Sequence, residues 1–174
     1  MDLYAEITES EKTRSDFLKW KLIGVAALGA AGLGLNQGGG AVHVYFLLVL
    51  IPPVCFYVDL LCRHISLRIL IIAAFLRRYG SDEQRRFQEF VKEKARSEHL
   101  LHLEDTALEG STVVLSFLIM VVGLTPRFLS EVTGEAPTPL FRLLAPAVGV
   151  LGVLAALVLN RWYAFQSKRL DANR

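Results

Sequence analysis

The chain has 174 residues, 53% of them hydrophobic, and a net charge of only +2. So small a charge gives no electrostatic case for nucleic acid. A mean hydropathy of +0.41, with the apolar residues gathered into long runs, excludes an ordinary soluble domain. A spanning helix needs about 20 mostly apolar residues to cross a hydrocarbon core of about 30 Å. Four runs approach that length, at 22–38, 41–61, 112–128 and 140–160.

The opening segment, "MDLYAEITESEKTRSDFLKWK", mixes five acids with four bases. A cleavable signal has a short basic region and a short apolar core, so the first apolar run is expected to be a retained helix. Within "TESE", Thr8 and Glu11 have the spacing of a capping box, which predicts a helix start at Thr8. The first run reads "GVAALGAAGLGL" and sets Ala26, Ala30 and Gly34 four residues apart. Small residues let helices approach closely in lipid. This ridge is expected either to pack on the second span of the same chain or to form a seam between subunits. The glycines of "NQGGG" at 36–40 then turn the chain.

Pro52 and Pro53 lie near the middle of the second run and predict a kink there. The same run ends in "FYVDLLCRH", where Asp59 precedes Arg63 by one helical turn, the favourable order for an ion pair. Cys55, Asp59, Cys62, Arg63 and Ser66 share one stripe of that helix. Asp59 and Arg63 are the candidate polar pair, and two readings stand: a structural anchor at the inner edge of the bundle, or a proton, ion or ligand site. Cys55 and Cys62 are about 10 Å apart on a helix, too far for a disulfide with each other.

The next apolar stretch, 69–76, is only about 12 Å long as a helix and cannot span. It is expected at the inner interface or as a continuation of the second helix. Gly80 breaks the chain, and Ser81 with Gln84 forms another capping box. An amphipathic helix is predicted over 82–109, with Phe87, Phe90, Val91, Ala95, Leu101 and Leu108 on its apolar side. Glu98, His102, Asp105 and Glu109 form a stripe on it that is suited to a metal only if a second motif completes it. None does, so a solvated face is the plainer reading. Thr138 before Pro139 marks the start of the fourth span.

The phosphate-binding, zinc and serine-hydrolase motifs are all missing, and no catalytic, cofactor-binding or metal residue is expected. Apart from the Asp59 stripe and Ser116 and Thr125, the spans hold almost no polar side chains, too few for a transporter site at the midplane. The fold expected is all-α: a four-helix transmembrane bundle with a cytoplasmic helical hairpin over 63–109. Three segments, "ESEKTRSDFLKWKLIGVAALGAAGLGL", "YVDLLCRHISLRI" and "LEDTALEGSTVVLS", carry a general resemblance. In these and in architecture the chain resembles small multi-span bacterial inner-membrane proteins of uncharacterised function. Some compact membrane proteins of this build act as effectors in bacterial defence. The function expected from the residues is a non-enzymatic membrane module that self-associates through its small-residue faces and uses its basic, amphipathic cytoplasmic part to engage a partner or anionic lipid. Membrane lipids, a second copy of the chain and a cytoplasmic protein are the expected partners, and nucleic acid is not among them. The alternative is a small ion channel or proton-coupled carrier centred on Asp59.

Lysine and arginine collect on the cytoplasmic side of a membrane protein. With four spans, all but two of the 19, Arg127 and Arg142, fall on the side that holds both termini and the middle segment. Reporters fused after residues 38 and 134 are therefore expected to read as periplasmic, and those after 95 and 174 as cytoplasmic. A periplasmic reading at 95 would sink the four-span arrangement.

Overall fold

The computed structural model describes residues 3–34, 44–82, 84–87, 89, 100–133 and 136–172. Among them are the α-helices α1 (Leu3–Gly32), α2 (Ile51–Tyr79), α3 (Leu100–Leu124), α4 (Pro126–Thr133) and α5 (Pro139–Ala172), and residues 82, 84–87 and 89 are helical as well. A 3-10 segment, Val44–Leu50, leads into α2. By length and composition, Tyr45–Tyr79, Thr106–Leu124 and Pro139–Ser167 are apolar enough to cross a membrane.

Residue contacts fix the direction of each helix. Gly32 of α1 meets Leu48, Lys21 meets Asp59 and Glu6 meets Arg68, so α1 runs antiparallel to the 3-10 segment and α2. Gly123 meets Pro146, and Ser116 meets both Gly149 and Gly152, so α3 and α5 are antiparallel. Gly152 also touches Pro52, while Arg63 stacks on Tyr163, which makes α2 and α5 parallel. The result is an up-down-up-down arrangement.

Several expectations from sequence are corrected. Pro52 and Pro53 do not kink the second helix; they begin it, in its first turn. The missing proline N–H has no intrahelical partner to lose there. From that start α2 runs unbroken to Tyr79, about 44 Å, so the 69–76 stretch continues the second helix. The Thr8 capping box is not a helix start either, because α1 begins at Leu3 and no breaker lies between. The third apolar helix ends at Leu124 rather than at 128, since Pro126 opens α4. Upstream it continues without a break to Leu100, so the end of the expected 82–109 helix and the third span are one element. The expected first span fits α1 only in part. Its apolar stretch from Leu22 to Gly32 is about 17 Å long, and residues 35–43 lie outside the described part.

Two local signals are borne out. Ser81 N–H donates to Gln84 Oε1 at 3.0 Å and Gln84 N–H donates to Ser81 Oγ at 3.4 Å, which is a capping box. The Thr138 hydroxyl accepts from Phe141 N–H at 3.4 Å, and α5 starts at Pro139.

The Ala26, Ala30, Gly34 ridge is not the face that α1 packs on the rest of its own chain. Ala26 and Gly34 are exposed and Ala30 is half-buried. Gly34 lies beyond the helix with a φ of 72°, in the left-handed region that favours glycine. The face that α1 turns inward is Lys21, Val25, Leu28 and Gly32, at steps of four, three and four. A methyl group at Gly32 would lie 2.6 Å from Leu48.

The close small-residue contact lies between α3 and α5. Ala145, Gly149, Gly152 and Ala156 make one buried face of α5. A methyl at Gly149 would fall 2.7 Å from the Ser116 carbonyl, and one at Gly123 would fall 2.5 Å from the Pro146 ring. At these positions the glycines bring the two backbones together. Gly123 also makes room for Pro146 inside α5. At the far end, Tyr45, Phe46 and Phe141 pack ring to ring at 5.0–5.8 Å, and the Tyr45 hydroxyl accepts from Thr138 N–H at 3.2 Å.

Candidate functional site

One buried polar cluster crosses the bundle. Lys21 on α1 is 2% exposed and Asp59 on α2 is 4% exposed. Lys21 Nζ donates to Asp59 Oδ1 at 2.7 Å, to Thr112 Oγ1 at 2.7 Å and to Ser111 Oγ at 2.8 Å. A longer contact of 3.2 Å reaches the Leu108 carbonyl. The Thr112 hydroxyl donates in turn to Asp59 Oδ2, and the Ser111 hydroxyl to the Leu108 carbonyl at 2.7 Å. The three ammonium protons and both hydroxyl protons thus all find acceptors, and each carboxylate oxygen has a donor.

Local sequence explains each placement. Lys21 sits at the end of the charged half of α1, on the inward stripe continued by Val25, Leu28 and Gly32. Its long stem reaches between α2 and α3. Asp59 lies two turns into α2 on the stripe that also holds Cys55, Cys62, Arg63 and Ser66, all of them buried. Ser111 and Thr112 come at the point where α3 turns from "LEDTALEG" to its apolar half.

Arg63 is buried one turn below Asp59, with its guanidinium 4.3 Å from the centre of the Tyr163 ring. Such stacking favours a cation on an aromatic face. Asp59 and Arg63 are therefore close, as their spacing requires, but both Asp59 oxygens are engaged by Lys21 and Thr112. The expected wet edge site is a buried layer. A small cleft beside it is lined by Asp59, Arg63, Leu108, Glu109, Ala156, Leu159 and Asn160, with room for about one water molecule. That is far below the several hundred Å³ of an ordinary small-molecule site.

Of the Glu98, His102, Asp105, Glu109 stripe, only Glu109 has a described side chain, and it borders this cleft. Among the described residues no cluster of three metal-ligating side chains occurs. Lys21, Ser111 and Thr112 were not singled out by sequence reasoning. Lys21 reads as one more flanking base. Its signal was position: it falls in phase with the apolar residues of α1, not with Lys12 or Lys19. Cys55 and Cys62 are both free thiols and fully buried.

Removing one partner of a buried ion pair strands the other, at a cost of about 3–5 kcal/mol. Lys21→Met alone and Asp59→Leu alone are each expected to lower unfolding free energy in detergent on that scale. The double variant should lose less than the sum, with a coupling energy of more than about 1 kcal/mol. A parallel cycle for Asp59 and Arg63 should give a smaller coupling than the one with Lys21. Additive effects in the Lys21 cycle would contradict the geometry. Compared with known proteins, the chain matches no family model, no curated protein and no solved structure.

Proposed function

We propose that the chain is a non-enzymatic, multi-pass membrane module that self-associates through α1 and presents its basic side to a partner. The proposed setting is a bacterial inner membrane, with the apolar run that begins in the second half of α1 as a fourth crossing and both termini in the cytoplasm. The observation that carries this reading is the outward face of α1. A methyl added at Gly29 would meet nothing within 4 Å, and Ala26 is exposed one turn before it on the same side. A helix face of small residues left uncovered beside three apolar helices favours close packing against another helix in lipid.

Three further features support it. The antiparallel α1–α2 pair places the start of α1 at the same end as Tyr79, where Arg77, Arg78, Arg85 and Arg86 cluster. Trp20 and Trp162 are exposed near the level of the Lys21–Asp59 layer, a common position for interfacial tryptophan. That layer is closed by its own hydrogen bonds, which suits a structural role.

The second reading, a channel or proton-coupled carrier centred on Asp59, draws on the cleft that reaches this carboxylate. One pair of measurements separates the two. Under the module reading, Ala26→Leu or Ala30→Leu shifts the particle to a smaller mass by light scattering in detergent. The unaltered protein in liposomes passes no ion current above background. A current that Asp59→Asn removes at unchanged particle mass would favour the carrier instead.

A further inference from the structure

The outward stripe of α2 changes character twice along its length. Tyr57 and Leu60 are apolar and exposed. His64 and Arg68 follow, exposed and ionisable. Then come Ile71, Phe75 and Tyr79, at 55%, 51% and 65% exposure. Steps of three and four keep all of them on one side of a helix.

A bilayer covers the first apolar patch but does not reach the second. Measured along the axis, Ile71 to Tyr79 lie about 18–30 Å inward of Asp59. The neighbouring half of α1 sets the local medium: Glu9, Glu11 and Lys12 are exposed there, and Glu6 bonds Arg68 at 2.6 Å. Charged side chains of that density belong in water. The second patch therefore stands in water, where a contiguous apolar surface marks an interaction site.

Its chemistry narrows the occupant. Arg78, Arg85 and Arg86 are exposed on or near it, and Arg68 beside it is held by Glu6, against Asp82 and Glu89 as the exposed acids of 69–89 among the described residues. Arg78 lies 5.6 Å from the Tyr79 ring, and the Phe75 and Tyr79 rings are 5.1 Å apart. Three apolar side chains at successive turns of a straight helix form a ridge that suits another helix. A second copy in the same membrane would bring its α2 alongside in parallel, with Arg78 facing Arg78. That pairing is repulsive.

We infer that Ile71, Phe75 and Tyr79 with the surrounding arginines form a docking site for an amphipathic, acidic helix of a cytoplasmic partner protein. The inference rests on the membrane placement proposed above, and its test separates the two. Full-length protein is placed in phosphatidylcholine nanodiscs. In a Trp20→Phe, Trp162→Phe background, a Phe75→Trp probe should be unaffected by brominated lipid. Quenching would show that the patch lies in the bilayer and overturn the placement. Binding is read by fluorescence anisotropy with a labelled 21-residue helical peptide of leucine and glutamate. It should saturate, weaken at least tenfold on Phe75→Ser with Tyr79→Ser, and weaken again on Arg78→Glu. A leucine–lysine peptide should bind at least tenfold more weakly. An unquenched probe with no saturable binding of the acidic peptide, or binding indifferent to those substitutions, would overturn the docking site alone.

Discussion

Burying the ammonium of Lys21 among three helices is the constraint that fixes how α1 joins the rest of the bundle. An ion of this size taken from water costs several kcal/mol even after the surroundings relax. A hydrogen bond to a charged group returns about 1.5–3 kcal/mol, so a single partner would leave a deficit. Three strong acceptors and one longer contact are what the site provides, and they come from α2 and α3 together. The lysine can therefore be buried only when both of those helices are in place and in register. A one-residue slide of α2 would carry Asp59 about 100° around its axis and away from the ammonium.

The bundle joins its helices in two physically distinct ways. Where α3 meets α5, glycine and alanine allow backbone contact, with a small serine at the same level, and dispersion holds the pair. That contact is indifferent to charge and tolerates little added volume. Where α1 meets the others, its apolar side chains pack mainly on α2 and the 3-10 segment, and Lys21 makes the polar link to α3. The α1 attachment is thus specified by hydrogen-bond geometry as much as by area. With its own small residues turned outward, α1 sits at the margin of the fold, bound to its neighbours on one face and open on the other.

Much of this was legible in the sequence. The apolar blocks gave an all-helical membrane-type chain, and the Ser81–Gln84 and Thr138–Pro139 signals marked real helix starts. Asp59 stood out because a carboxylate in an apolar run has to be compensated. Its direct partner did not stand out, because the pairing spans 38 residues and i,i+4 spacing offers a nearer base in Arg63. The prolines misled because a helix start and a helix kink share one residue signature, and only the preceding 3-10 segment distinguishes them. A small-residue ridge was read in Ala26, Ala30 and Gly34, whereas the one that packs within the chain is Ala145, Gly149, Gly152 and Ala156. Both stretches carry the pattern, and only the identity of each neighbour decides which one is filled.

Hydrogen exchange on a Lys21→Met variant in detergent tests the central role of the buried ammonium most directly. If Lys21 locks α1 onto an α2–α3–α5 unit that holds itself together, amides along α1 from about Phe17 onward should lose protection. Those of the α3–α5 seam around Ser116 and Gly152 should stay protected. Unchanged protection in α1, or an equal loss in all the helices, would contradict the account.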